Sequence, residues 1–160
     1  LDLNTINELI DCLKKIIHQS QSIDIPKKGE SLKLELKSTS FYFFIDINRK
    51  GRKKPKCTFQ LREHQHKDKP LLRLDILGPA HPNPPGDFPY AGEIISCPHL
   101  HIAHPEYGDS IAYPLNNVYA KMYLTEEELK EIEILLRKFL ERCNVGNIND
   151  YTFNYQSELF

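Results

Sequence analysis

The sequence predicts an α+β fold: an antiparallel sheet of about five strands with an N-terminal and a C-terminal helix packed on it. Three observations carry this. Apolar residues recur at helical spacing near both ends, a run of strand-period segments occupies 31–77, and the links between those segments are short. At 160 residues the chain is long enough for one core of helices on a sheet, so a single domain over 1–160 is expected.

At the N-terminus Ile6, Leu9, Ile10, Leu13, Ile16 and Ile17 keep the 3.6-residue period, which predicts a helix over 4–18 capped by Asn4 or Thr5. A polar linker, QSQSIDIPKKGE, follows. SLKLELKS then alternates Leu32, Leu34 and Leu36 with Lys33, Glu35 and Lys37, the pattern of a half-buried strand. Phe41, Phe43, Ile45 and Ile47 share one face of the next strand, Cys57, Phe59 and Leu61 of a third, and Leu72, Leu74 and Ile76 of a fourth. Sequential strands tend to pair, so these four predict a meander in which RKGRKKPK is a hairpin loop.

Six prolines fall within 79–98, too many for a helix or an uninterrupted ladder, and an ordered loop is expected there. Loops of that length in compact domains tend to be functional. HLHIA reads as a short strand over 99–103 with Leu100 and Ile102 inward and His99 and His101 on the opposite face. Toward the C-terminus TEEE forms a capping box, and Leu129, Ile132, Leu135, Leu136, Phe139 and Leu140 make the apolar stripe of a helix over 125–142. The tail, 147–160, reads as an edge strand or a docked extension.

The balance of 21 basic and 22 acidic residues gives a net charge of −1, so no global charge draws the chain to nucleic acid or membrane. No apolar run approaches the roughly 20 residues of a bilayer span, and a cytoplasmic location without a membrane partner is expected. Cys12, Cys57, Cys97 and Cys143 are scattered without a CxxC, which favours reduced, partly buried thiols over a zinc ribbon or redox pair.

Charge is concentrated locally. Arg49, Lys50, Arg52, Lys53, Lys54 and Lys56 place six positive charges in eight residues. Such a loop could be a solvated hairpin tip, a dock for an acidic protein, or an arm that contacts nucleic-acid phosphates. Histidine is concentrated too: His64, His66, His81, His99, His101 and His104 all lie between 64 and 104. Imidazole titrates nearest neutrality, so two of them can divide the acid and base roles of phosphodiester cleavage with a ribose 2′-hydroxyl as nucleophile.

Period 2 aligns His99 with His101 and Arg73 with Asp75, and neighbouring strands would bring all four into one polar patch. There Arg73 would stabilise phosphoryl charge and Asp75 would orient an imidazole. Asp75, His99 and His101 could also hold zinc, manganese or nickel, although HxH is a weak motif. Solvated or structural histidines are the plain alternative. PHLHIAH is similar to the strand of the histidine-triad nucleotide hydrolases, but Ala103 stands where the third histidine belongs, and His104 falls in the turn before Pro105. Tyr90, Tyr107, Tyr113, Tyr119 and Tyr123 read as boundary residues, with one or two available to stack on bases.

LLRLDILGPAHPNPPG, the Pro-rich spacer, CPHLHIAHPEYGDSIAYPL and the Thr-capped helix together resemble the layout of the TumE-type toxins of bacterial toxin–antitoxin modules over residues 40–142. The resemblance singles out Arg73, Asp75, His81, His99 and His101. It implies a small toxin acting on RNA or translation and paired with a helix-turn-helix antitoxin, or else a related uncharacterised bacterial family of similar layout. The chain departs from that layout in Leu72, where an aromatic is expected, in its longer loop and in its added N-terminal helix. The combined expectation is a toxin-like, metal-independent ribonuclease with no cofactor, His99 and His101 as acid and base, and the 49–56 loop as phosphate arm. A non-catalytic binding module docking through that loop and a His/Asp metal-dependent hydrolase are the alternatives.

Overall fold

The structure, a computed structural model, describes residues 1–51 and 56–155. Helix α1 (Leu3–Asp11) leads into β1 (Lys15–Ile17), β2 (Ser22–Asp24), β3 (Ser31–Lys37), β4 (Tyr42–Asn48), β5 (Cys57–Glu63) and β6 (Leu72–Leu77). Two short strands, β7 (His81–Pro82) and β8 (Ile94–Ile95), precede β9 (His99–Ile102) and β10 (Ala112–Pro114). Helix α2 (Ile132–Arg142) and β11 (Thr152–Asn154) complete the order. The fold is α+β, as the periodicities predict, with seven strands in the main sheet rather than five, in the order β1-β3-β4-β5-β6-β9-β10. Every pairing within it is antiparallel.

The meander β3–β6 follows from period 2. Leu34, Leu36, Phe43, Ile45, Ile47, Phe59, Leu61, Leu72 and Leu74 are buried and join the stripes of both helices in one cluster. The Phe59 and Phe139 rings meet at 5.9 Å, which anchors α2 on the sheet. Burial pushes the Cys57 thiol up to about 11 and the Cys143 thiol up to about 12, so both behave as core residues and not as nucleophiles.

Both helices are shorter than their apolar patterns predict. α1 is capped by Asp2, whose Oδ1 accepts from the Thr5 amide at 2.8 Å, and it stops before Cys12, which turns extended. Leu13 and Ile17 keep the helical spacing but are exposed, and Ile16 is buried because 15–17 pairs with β3 as an edge strand. β-Branched residues satisfy a strand as readily as they fit a helical stripe, and the pairing wins. At the other end Thr125 and Glu128 do form a reciprocal box. That box closes the turn from Thr125 to Glu128, which leads into a 3₁₀ turn over Glu128–Lys130; Glu131 is extended and α2 begins only at Ile132, without a side-chain cap among the described residues.

The tail supplies β11, which pairs in parallel with β2 as a separate two-stranded ribbon. The Pro-rich loop carries its own antiparallel pair, β7 with β8. Among the described residues no helix is long and apolar enough to cross a membrane.

Candidate functional site

β6 and β9 are neighbours, and their register sets Arg73 opposite His101 and Asp75 opposite His99 on the face turned away from the helices. The four residues that period 2 aligned in pairs are therefore one cluster. The Asp75 carboxylate is its hub. Arg73 donates from Nε to Oδ1 at 2.8 Å and from Nη2 to Oδ2 at 3.2 Å, and His99 Nε2 lies 3.1 Å from Oδ2. His101 Nε2 is 3.2 Å from the same Oδ2. That distance suits an ion pair, but the direction does not suit a hydrogen bond, so His101 Nε2 is buried without a hydrogen-bond partner among the described residues.

The other nitrogen of each ring is committed. His99 Nδ1 lies 3.1 Å from the Ile95 carbonyl, and His101 Nδ1 lies 2.8 Å from the Asp109 carbonyl. A carbonyl oxygen only accepts, so both Nδ1 atoms carry hydrogen and both rings turn Nε2 toward Asp75. Asp109 contributes a second time, its Oδ2 accepting from Arg73 Nη1 at 3.1 Å.

The Pro-rich loop closes over this part of the sheet. Asn83 fastens it, donating to the Tyr90 and Ala112 carbonyls and accepting from the Ala112 amide. His81 packs its ring 4.7 Å from that of His101, with Nε2 2.6 Å from the Ser110 carbonyl. Cys97 sets its Sγ 3.7 Å from His99 Nδ1. As a result the His99 and His101 side chains are each 1% exposed, while Asp75, Arg73 and Asp109 form a graded rim at 16%, 27% and 41%.

Electrostatics couple the group. Burial alone would raise the Asp75 pKa, but the close approach of His101 and the hydrogen bonds of His99 and Arg73 outweigh it and hold the carboxyl well below its usual range. Burial likewise opposes a charge on His99, yet contact with Asp75 and Cys97 pushes its pKa up to about 9. One ligand atom from each of Asp75, His99 and His101 lies within 4.8 Å of the others, which makes this trio the place among the described residues where a metal ion could be held.

The remaining candidates lie apart. Arg49 is buried, its Nη1 donating to the Pro26 carbonyl at 3.2 Å, and it belongs to the scaffold rather than to a phosphate arm. Lys50 and Lys56 are exposed, whereas Arg52, Lys53 and Lys54 lie outside the described residues. His66 is bound to Glu63 at 2.6 Å and His64 packs by Phe44, both beyond the far end of β5. Tyr90, Tyr113 and Tyr119 pack on one another, with the last two stacked at 5.4 Å, and so act mainly as boundary residues. Asp109 is the cluster member that the sequence leaves unmarked. It follows the His104–Gly108 turn and has no period to place it.

A family model described as a family of unknown function, DUF6978, matches residues 1–145. The chain belongs to DUF6978. The match takes in both helices, the whole seven-stranded sheet and every member of the Asp75 cluster. No curated protein and no solved structure matches this DUF6978 chain.

Proposed function

We propose that this DUF6978 protein is a hydrolase of phosphodiesters, with RNA as its substrate, and that Asp75, His99, His101 and Arg73 form its reaction centre. The observation that carries the reading is the convergence of two buried imidazoles and a guanidinium on one carboxylate. Burying such a network costs several kcal/mol per ion unless it is fully paired, by an order-of-magnitude argument, and perturbed groups of this kind concentrate at functional sites.

Arg73 and Asp109 make the accessible edge. A phosphoryl group that reaches this edge meets the Arg73 guanidinium first, which suits Arg73 to stabilising charge on phosphoryl oxygens. Behind it, in the ion-free protein, the Asp75–His99 pair can hold and move a proton between Oδ2 and His99 Nε2, while the two backbone carbonyls keep the rings from turning. The burial of His99 and His101 speaks against two imidazoles in direct contact with a polynucleotide. It favours chemistry at the Asp75 rim. A toxin-like role on RNA with a helix-turn-helix antitoxin remains part of the proposal, supported by the sequence layout of 40–142.

Docking through the basic loop without catalysis is the competing reading, and the burial of Arg49 weakens it. Purified full-length protein incubated with single-stranded RNA separates the two. We expect cleavage that falls about 100-fold or more in Asp75→Asn, within the usual contribution of a general acid or base, and that survives Lys50→Glu with Lys56→Glu at reduced apparent affinity. RNA bound but left intact, equally by wild type and Asp75→Asn, would transfer the role to the loop.

A further inference from the structure

We propose that Asp75, through its carboxylate, and His99 and His101, each through Nε2, are the three protein ligands of a divalent transition-metal ion of the zinc class. The inference goes beyond the proposed hydrolysis and stands without it. Its first support is the tautomer. Each ring donates Nδ1–H to a backbone carbonyl, Ile95 for His99 and Asp109 for His101, and a neutral imidazole so fixed presents a lone pair at Nε2. This is how metal-ligating histidines are commonly held: one nitrogen on a carbonyl orients the ring and raises the basicity of the other.

With both rings neutral, two such lone pairs face one carboxylate oxygen, and a cation between them removes the conflict. A proton on each Nε2 would also do so, but a proton needs an acceptor in line. His99 Nε2 has one in Asp75 Oδ2, whereas His101 Nε2, with its ring 1% exposed, has that oxygen at 3.2 Å and off its axis. A metal ion sits off every pairwise line, where the lone pairs meet.

Spacing agrees. Ligands at zinc-like bond lengths in a tetrahedron stand about 3.3 Å apart; Oδ2 lies 3.1 Å from one Nε2 and 3.2 Å from the other, and all three ligand atoms fall within 4.8 Å of one another, so the two rings have to close only slightly on an ion. Two imidazoles and one carboxylate suit zinc, manganese, iron(II) or nickel rather than calcium or magnesium. Three protein ligands leave a coordination position free, as catalytic sites do and closed structural sites do not. That position would face the Arg73–Asp109 rim, the exposed side of the cluster.

The test uses untagged full-length protein, stripped with chelator and titrated with zinc chloride. Calorimetry and elemental analysis should give one tightly bound equivalent. His101→Ala and Asp75→Asn should each lose it by at least tenfold in affinity, while His66→Ala, which alters the separate His66–Glu63 pair, should keep it. Both variants touch buried groups, so a second readout on wild type is needed: long-range ¹H–¹⁵N spectra of the histidine rings should show zinc shifting Nε2 of His99 and His101, with Nδ1 still protonated. No bound equivalent, or zinc that shifts only other histidines, overturns the proposal. Zinc bound without RNA cleavage would sink the hydrolase reading alone, whereas cleavage by protein that binds no zinc would sink this one alone.

Discussion

Lys14 is fully buried, and its ammonium donates to the carbonyls of Ile10 at 2.7 Å, Cys12 at 2.9 Å and Cys143 at 2.8 Å, with the Phe43 ring 4.8 Å away. One side chain thus takes up carbonyls at the C-terminal ends of α1 and α2, where helices leave acceptors unpaired. In the sequence it reads as the polar side of a helix, because its partner at Cys143 lies 129 residues away. Lys14→Met preserves the stem and strands the three acceptors, so urea denaturation should show a loss of about 2–4 kcal/mol. A loss under about 0.5 kcal/mol, the size of an ordinary surface change, would mean that the ammonium contributes nothing net. The Asp75 cluster divides in the same way. Alternation places Arg73 with Asp75 and His99 with His101 on one face of their strands, while nothing in the pattern marks Asp109, which follows a turn, or the Ile95 carbonyl, which comes from a two-residue strand too short to show a period.

Among the elements, the strands of the meander coincide with their alternating segments to within a residue or two, because alternation is their packing rule. The helices end short of their apolar stripes, which continue past them. Leu9 and Leu13 occupy equivalent positions in the pattern but not in the fold, at 1% and 59% exposure. Leu9→Ala should therefore cost about 2–5 kcal/mol, and Leu13→Ala should stay within about 0.5 kcal/mol by the same denaturant measurement. Equal costs would extend α1 to the predicted length. The Pro-rich loop was legible as an ordered loop, yet its position over the histidines was not, since that depends on Asn83 reaching Ala112 across 29 residues. Asn83→Ala removes three hydrogen bonds at the loop base. Amide exchange at Ala112 and Ile95 should accelerate by at least tenfold while exchange in β3–β5 stays unchanged; unchanged exchange at both would show that the loop is held elsewhere.

At the scale of the molecule, the meander β3–β6 builds the platform from neighbours in sequence, and β9 completes the site by docking beside β6 after the long loop. Alternation could say which face His99 and His101 occupy, but adjacency of β6 and β9 and the closure of the loop are tertiary facts. They convert an apparently exposed polar patch into a buried, rim-accessible centre. The basic segment fared differently: Arg49 serves the scaffold beside Pro26, leaving Lys50 and Lys56 as its described exposed charges. If Asp75, His99 and His101 act as one centre with an open position, the visible absorption spectrum of chelator-stripped protein titrated with cobalt(II) should show it. Intense bands of a four- or five-coordinate ion, saturating at one equivalent and perturbed by added inorganic phosphate, are the predicted result; a weak spectrum indistinguishable from cobalt(II) in buffer would contradict it.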